Sequence, residues 1–198
     1  MKKNRLKPDQ LLQAINFSNR LTDTKLWLSM ADDLIAAANI LEVEVVKYWS
    51  EICVENNQIV STSNRKYVQG AFSLLIAYAL ENYFKALLIH QERKSLKNKL
   101  LSKLPKYLSS HNLYQLAFKS RFKIDLSEEE LLSRLSRSSI WAARYPIPVG
   151  PNALTAMQIL SNGRAHLAAY YAPNDINRIH SFIDRLRNHV LTEIENNI

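Results

Sequence analysis

Three small groups of side chains in this 198-residue chain have the types and spacing to do chemistry. Arg185 and His189 stand at i and i+4 of a helical stretch and so share one face. Metal-free cleavage of RNA needs a base for the 2′-hydroxyl, an acid for the leaving oxygen and a cation for the phosphate charge. An imidazole titrates near neutrality, and a guanidinium grips phosphate through paired hydrogen bonds. The same two residues are more simply explained as late cations complementing the dipole of a C-terminal helix. His111 follows Ser109 and Ser110 at a helix start. It is placed for proton transfer, or for a local hydrogen bond to a cap or backbone carbonyl. Arg144 opens the stretch Arg144-Tyr-Pro-Ile-Pro-Val-Gly-Pro151, in which Tyr145 and the prolines stiffen the backbone. Its guanidinium can grip a phosphate or clamp the carboxylate of Glu81, since a buried acid needs a cationic partner. Glu81 itself stands four residues before Lys85, acid first, the favourable order for an ion pair on one helix face.

Other chemistries lack their motifs. No Walker loop or dinucleotide-binding glycine pattern occurs, and no nucleophile elbow. The five histidines offer no paired zinc ligands, and the single cysteine, Cys53, forms neither an internal disulfide nor a Cys-rich zinc site. No metal and no cofactor are therefore expected. One cysteine also fits a reducing compartment. The N-terminal ten residues are charged with no apolar run behind them, unlike a secretory signal, so a cytoplasmic location is expected.

The net charge of +8 is unevenly spread. Residues 26–64 carry one Lys against six acids, whereas residues 90–125 carry nine Lys/Arg against two acids and residues 134–187 seven Arg against two. Lys97, Lys99 and Lys103 mark the densest basic run. RNA, DNA or phosphate ligands are natural partners for such a surface, and a solvated Lys-rich exterior is the alternative.

These residues need elements to position them. With only 3 glycines and 6 prolines, long helices are favoured over hairpins. Phe72–Ile89 is apolar on nearly every face, interrupted only by Ser73, Glu81, Asn82 and Lys85. Such a helix must be enclosed by other helices or by lipid. The charged residues shorten its apolar run to about half a bilayer span, which favours a protein core over a membrane. This central helix is expected from Ser63 or Asn64 to about Glu92, with Gly70 an internal cost that a close helix contact would explain.

Around it, residues 24–50 repeat apolar side chains at steps of three and four, from Trp27 through Trp49, with Asp23 or Thr22 as cap. Residues 1–23 read as a loose arm or a short helix from Asp9 through Phe17. Residues 54–64 read as a polar loop. Leu96, Leu100, Leu101 and Leu104 give a short helical stripe ended by Pro105, and a short helix follows from His111. Ser127 and Glu130 have the spacing of a capping box for a helix ending near Ala143. Residues 153–171 read as a loop with a short helix. A final helix starts behind Pro173, with Ile176, Ile179, Phe182, Ile183, Leu186, Val190 and Ile194 on one stripe. The expectation is an all-α, single-domain antiparallel helical bundle spanning residues 1–198.

The order of these landmarks resembles a HEPN-type helical domain over roughly residues 24–146. Ala79-Leu-Glu-Asn-Tyr-Phe-Lys-Ala is similar to the family's Ala-x-Glu-Lys-x-x-Lys-Ala segment, with Asn82 where a Lys is usual. His111-Asn-Leu-Tyr-Gln-Leu116 resembles its His-Asp-Leu-x-x-Leu element, and Arg144-Tyr-Pro146 an element at the end of a later helix in some members. The resemblance implies a helical bundle, often a homodimer, that engages RNA or nucleotides. Many members are metal-independent ribonucleases whose Arg precedes a His by five to seven positions. No histidine of this chain has that spacing; Arg185-Leu-Arg-Asn-His189 comes nearest, with three residues between. Three functions follow as expectations: an RNA- or nucleotide-binding protein without strong catalysis, a dimeric toxin-type ribonuclease using Arg185, His189 and His111, or a non-enzymatic helical partner of another protein in a toxin–antitoxin or defence module.

Overall fold

The apolar segment dictates the architecture. In the computed structural model, which describes residues 7–55, 58–61, 68–96, 99–145, 147–148, 150–151, 157–167, 171 and 173–196, it forms α3 (Gln69–Leu96). By length and composition α3 could cross a membrane, but most of its apolar stretch is packed inside the protein. Phe72, Ile76, Phe84, Leu87 and Ile89 are all fully buried. The expected start of this helix at Ser63 or Asn64 lies outside the described residues, as does Lys97. Gly70 meets no close neighbour: a Cβ built there would lie 3.8 Å from that of Ala143, an ordinary contact.

Four helices make the bundle. α2 (Thr24–Ser50), capped by Asp23 through Lys25 N–H, runs antiparallel to α3. Trp49 at its end bonds Gln69 at the start of α3, while Trp27 at its start lies under Lys85. Ala31, Ala38 and Val45, seven residues apart, are its buried positions. That heptad seam of small side chains lets α2 approach α3 closely. α5 (Leu126–Arg137) and α6 (Asn174–Glu195) form the second antiparallel pair. Glu128 meets Arg185 at one end and Arg134 meets Asp175 at the other. α6 in turn runs antiparallel to α2, with His180 bonding Glu42 and Arg187 bonding Asp32. The core is continuous from Leu21 and Ala31 through α3 to Leu135, Phe182 and Val190.

Two further helices complete the layer. α1 (Pro8–Thr22) is longer than the expected segment from Asp9 to Phe17 and is no loose arm. It buries Ala14, Ser18 and Leu21, and the Ser18 hydroxyl donates to the carbonyl of Lys99 at 3.2 Å. α4 (Leu113–Lys119) is capped by Asn112 rather than by the serines before it. It runs parallel to α3, joined by His111 to Glu81 at one end and Gln91 to the Ser120 carbonyl at the other.

The local corrections have local causes. Asp125 and Glu128 form the capping box of α5, two positions ahead of Ser127 and Glu130, because both sets share the required three-residue spacing and the earlier acid closes the turn. The stripe at Leu96–Leu104 does not continue as helix. α3 stops at Leu96, and a single 3₁₀ turn forms at Lys106–Leu108 behind Pro105. The polar stretch after α2 holds the antiparallel pair β1 (Cys53–Glu55) and β2 (Gln58–Ser61), and β3 (Met157–Ile159) with β4 (Ala165–Leu167) forms a hairpin over residues 157–167, the described part of the stretch expected as a loop with a short helix. Gly163, at φ +79°, supplies the left-handed residue of that hairpin's connection. Both strand pairs are appendages of an all-α core.

Candidate functional site

The residues that sequence reasoning singled out divide into three places. The first is built on Glu81 at the middle of α3. Its carboxylate is nearly sealed from solvent, as is Lys85, whose Nζ lies 2.5 Å from Glu81 Oε1. The second oxygen, Oε2, lies 2.9 Å from Nδ1 of His111. A carboxylate only accepts hydrogen bonds, so Nδ1 carries a proton, and Nε2 is the nitrogen left facing away from Glu81. The His111 side chain is 52% exposed. The arrangement therefore has a buried carboxylate that orients an imidazole at the surface.

Two serines, one in α5 and one in the turn that follows it, hold His111 in that position. Ser136 accepts from the Leu113 N–H at 2.9 Å, fixing the start of α4. Ser139 donates to the His111 carbonyl at 3.4 Å. Ser139 belongs to a π-helical turn, Ser138–Ala142, that extends α5. Such widened turns redirect groups that a regular helix would point elsewhere, and they recur at functional sites. The carbonyl of Ser139 accepts from Arg144 Nη1 at 3.4 Å. Ser139 thus links His111 and Arg144, and Arg144 does not clamp Glu81: both carboxylate oxygens are already taken by Lys85 and His111. The Arg144 guanidinium lies 5.0 Å from the ring centroid of Tyr145 and donates to its hydroxyl at 3.0 Å. Both side chains are exposed. An exposed aromatic ring beside a cation can stack a base and contact a phosphate, and an oriented imidazole, on the segment Ser139 ties to Arg144, can move a proton.

Arg185 and His189 sit elsewhere, both against Phe122. Arg185 donates to Glu128 at 2.6 Å and to the Lys123 carbonyl at 3.0 Å, with its guanidinium 4.4 Å from the Phe122 ring. The His189 ring centroid lies 5.2 Å from that of Phe122. They share a helix face, and there they fasten α6 to the α4–α5 connection. Lys99 and Lys103 are exposed on the segment that follows α3.

Sequence reasoning missed two polar clusters, both formed across elements. Asp32 of α2 accepts from Arg187 of α6 at 3.0 and 3.2 Å and from the Tyr83 hydroxyl of α3. The Arg187 hydrogen bond, helped by that of Tyr83, holds the Asp32 carboxyl below its usual range against a partial burial penalty. Burial, then the adjoining Asp32 carboxylate, pushes the Tyr83 phenol upward. The second cluster pairs buried Arg134 with Asp175 through two hydrogen bonds of 2.6 and 3.0 Å. Arg178 joins it, bonding both Asp175 and Glu130. Glu130–Arg134 and Asp175–Arg178 stand at helical spacing and were legible as pairs, but their convergence was not. Set against known protein families, characterised proteins and solved structures, the chain matches none of them.

Proposed function

We propose that this protein is a HEPN-like RNA-binding helical domain that engages single-stranded RNA at the surface formed by His111, Arg144 and Tyr145, and that it works as a homodimer. The observation that carries the reading is the exposed Tyr145 ring under the Arg144 guanidinium at 5.0 Å. Stacking platforms for single strands combine an exposed ring with neighbouring positive charge. The basic middle of the chain, with Lys99 and Lys103 exposed, adds the electrostatic attraction such binding needs. A labelled RNA oligonucleotide titrated with protein tests it. Tyr145→Ala should weaken binding about tenfold, the scale of one lost stacking contact. An affinity unchanged by both Tyr145→Ala and Arg144→Ala contradicts the assignment.

A second reading, metal-independent ribonuclease activity, is favoured by one specific contact, the 2.9 Å bond from His111 to Glu81. An imidazole oriented through Nδ1 presents Nε2 as a general base for a 2′-hydroxyl, and Arg144, linked to the His111 carbonyl through Ser139, is the cation for the phosphate. In this reading His111 takes the catalytic role, and Arg185 and His189 keep the α6 attachment. Incubation of RNA with protein and chelator should give cleavage that His111→Ala abolishes. Intact RNA after prolonged incubation with the unaltered protein leaves binding alone.

A further inference from the structure

A second basic surface lies at the opposite end of α4 from His111. There the C-terminal ends of α3 and α4 and the last turns of α6 enclose a cleft of about 500 Å³, lined by Arg93, Lys94, Lys119 and Arg121 against Glu92 and Glu193. Its volume falls in the range of small-ligand sites, and its walls are mainly polar. Two of those walls are fixed to each other by the 2.9 Å hydrogen bond from Gln91 to the Ser120 carbonyl.

The backbone at Arg121 is unusual. Phe122 N–H donates to the Ala117 carbonyl and Arg121 N–H to that of Phe118, both at 3.1 Å, the pattern that closes a helix through a left-handed residue. That residue is ordinarily glycine or asparagine. Here it is Arg121, at φ +57°, the one described non-glycine residue with positive φ. A glycine would close the helix with less strain. The arginine side chain is therefore not there for the turn. It is exposed at the cleft with Lys94 and Lys119, and among the described residues no carboxylate pairs with any of the three. Three cations on a concave surface without acidic partners raise the local potential for a multiply charged anion.

We propose that this cleft binds phosphate groups of RNA or of a free nucleotide, with Arg121, Lys119 and Lys94 as the contacting cations. It rests on the RNA reading only for the source of the phosphate. Arg121 presents a fork of donors matched to phosphate oxygens, and the lysines act as point charges beside it.

The strained backbone makes the test clean, because Arg121→Gly removes the guanidinium while easing the turn. Its melting temperature should equal or exceed that of the unaltered protein. Its affinity for a labelled single-stranded RNA should fall at least fivefold, and the logarithmic salt slope should shrink by about 0.7, the value for one lost phosphate contact on a single strand. Lys119→Gln should give a further loss of the same kind. RNA affinity unchanged in Arg121→Gly, with Tyr145→Ala still weakening binding, overturns the cleft and leaves the RNA reading intact. ATP binding that is lost in Arg121→Gly, with no RNA binding by the unaltered protein, supports the cleft and overturns RNA as the phosphate source. Failure of the unaltered protein to bind either probe overturns both.

Discussion

Glu81 shows how one side chain can serve stability and a surface site together. Its carboxylate is neutralised by Lys85 within the core and spends its second oxygen on His111 at the rim. Lys85→Met should cost about 3 kcal/mol in chemical unfolding, because it strands a buried carboxylate. Glu81→Leu combined with Lys85→Met should recover most of that loss, since an apolar pair of similar volume carries no desolvation penalty. The Glu81–Lys85 pair was legible from its four-residue spacing. The His111–Glu81 bond was not, because nothing local ties positions separated by 30 residues. Arg144, expected at Glu81, turns instead to Ser139 and Tyr145, while Lys85 and His111 supply the donors to Glu81.

His90 makes a pH prediction at the same scale. Burial, then the adjoining Arg93 cation, lowers its pKa below 6.5. The folded state therefore favours the neutral ring, while the unfolded chain protonates near pH 6.5. The resulting stability is complete above that value and is lost as pH falls toward the lowered one. His90→Gln should flatten the stability profile between about pH 7 and 5, measured as melting temperature against pH. An unchanged profile would contradict the assignment.

The helices were far more legible than their junctions. Residues 24–50 and the stripe behind Pro173 carry strong apolar periodicity, and both form helices within a residue or so of the expected bounds. Periodicity could not reveal the two strand pairs, whose strands of three or four residues are too short to establish alternation. Nor could it reveal the π-helical turn that sets Ser139 between His111 and Arg144. The pairing of α5 with α6 rests on Arg134 and Asp175, both buried. Asp175→Asn should destabilise the fold by about 3 kcal/mol by leaving Arg134 without its full countercharge. At Gly70 the opposite sign is expected. A methyl there meets Ala143 at an ordinary distance, so Gly70→Ala should stabilise by about 0.5 kcal/mol through lower unfolded-state entropy. A loss of stability would show that α3 and the turn after α5 pack more tightly than this.

At the scale of the whole molecule, an all-α core built around one apolar helix presents a positively charged exterior. Acidic charge is concentrated early in the chain, where α2 turns Asp32 toward Arg187 and Glu42 toward His180. Asp32 is thus paired with a cation and Glu42 hydrogen-bonded within the bundle, while Lys94, Lys119 and Arg121 are exposed around the end of α4. The function proposed depends on this imbalance being used to hold RNA. The most direct measurement is the affinity of the unaltered protein for single-stranded RNA over about 50 to 200 mM salt. With three or more phosphates engaged, the logarithmic slope should be about −2 or steeper. Absence of binding at the lowest salt, or an affinity indifferent to salt, would contradict the account.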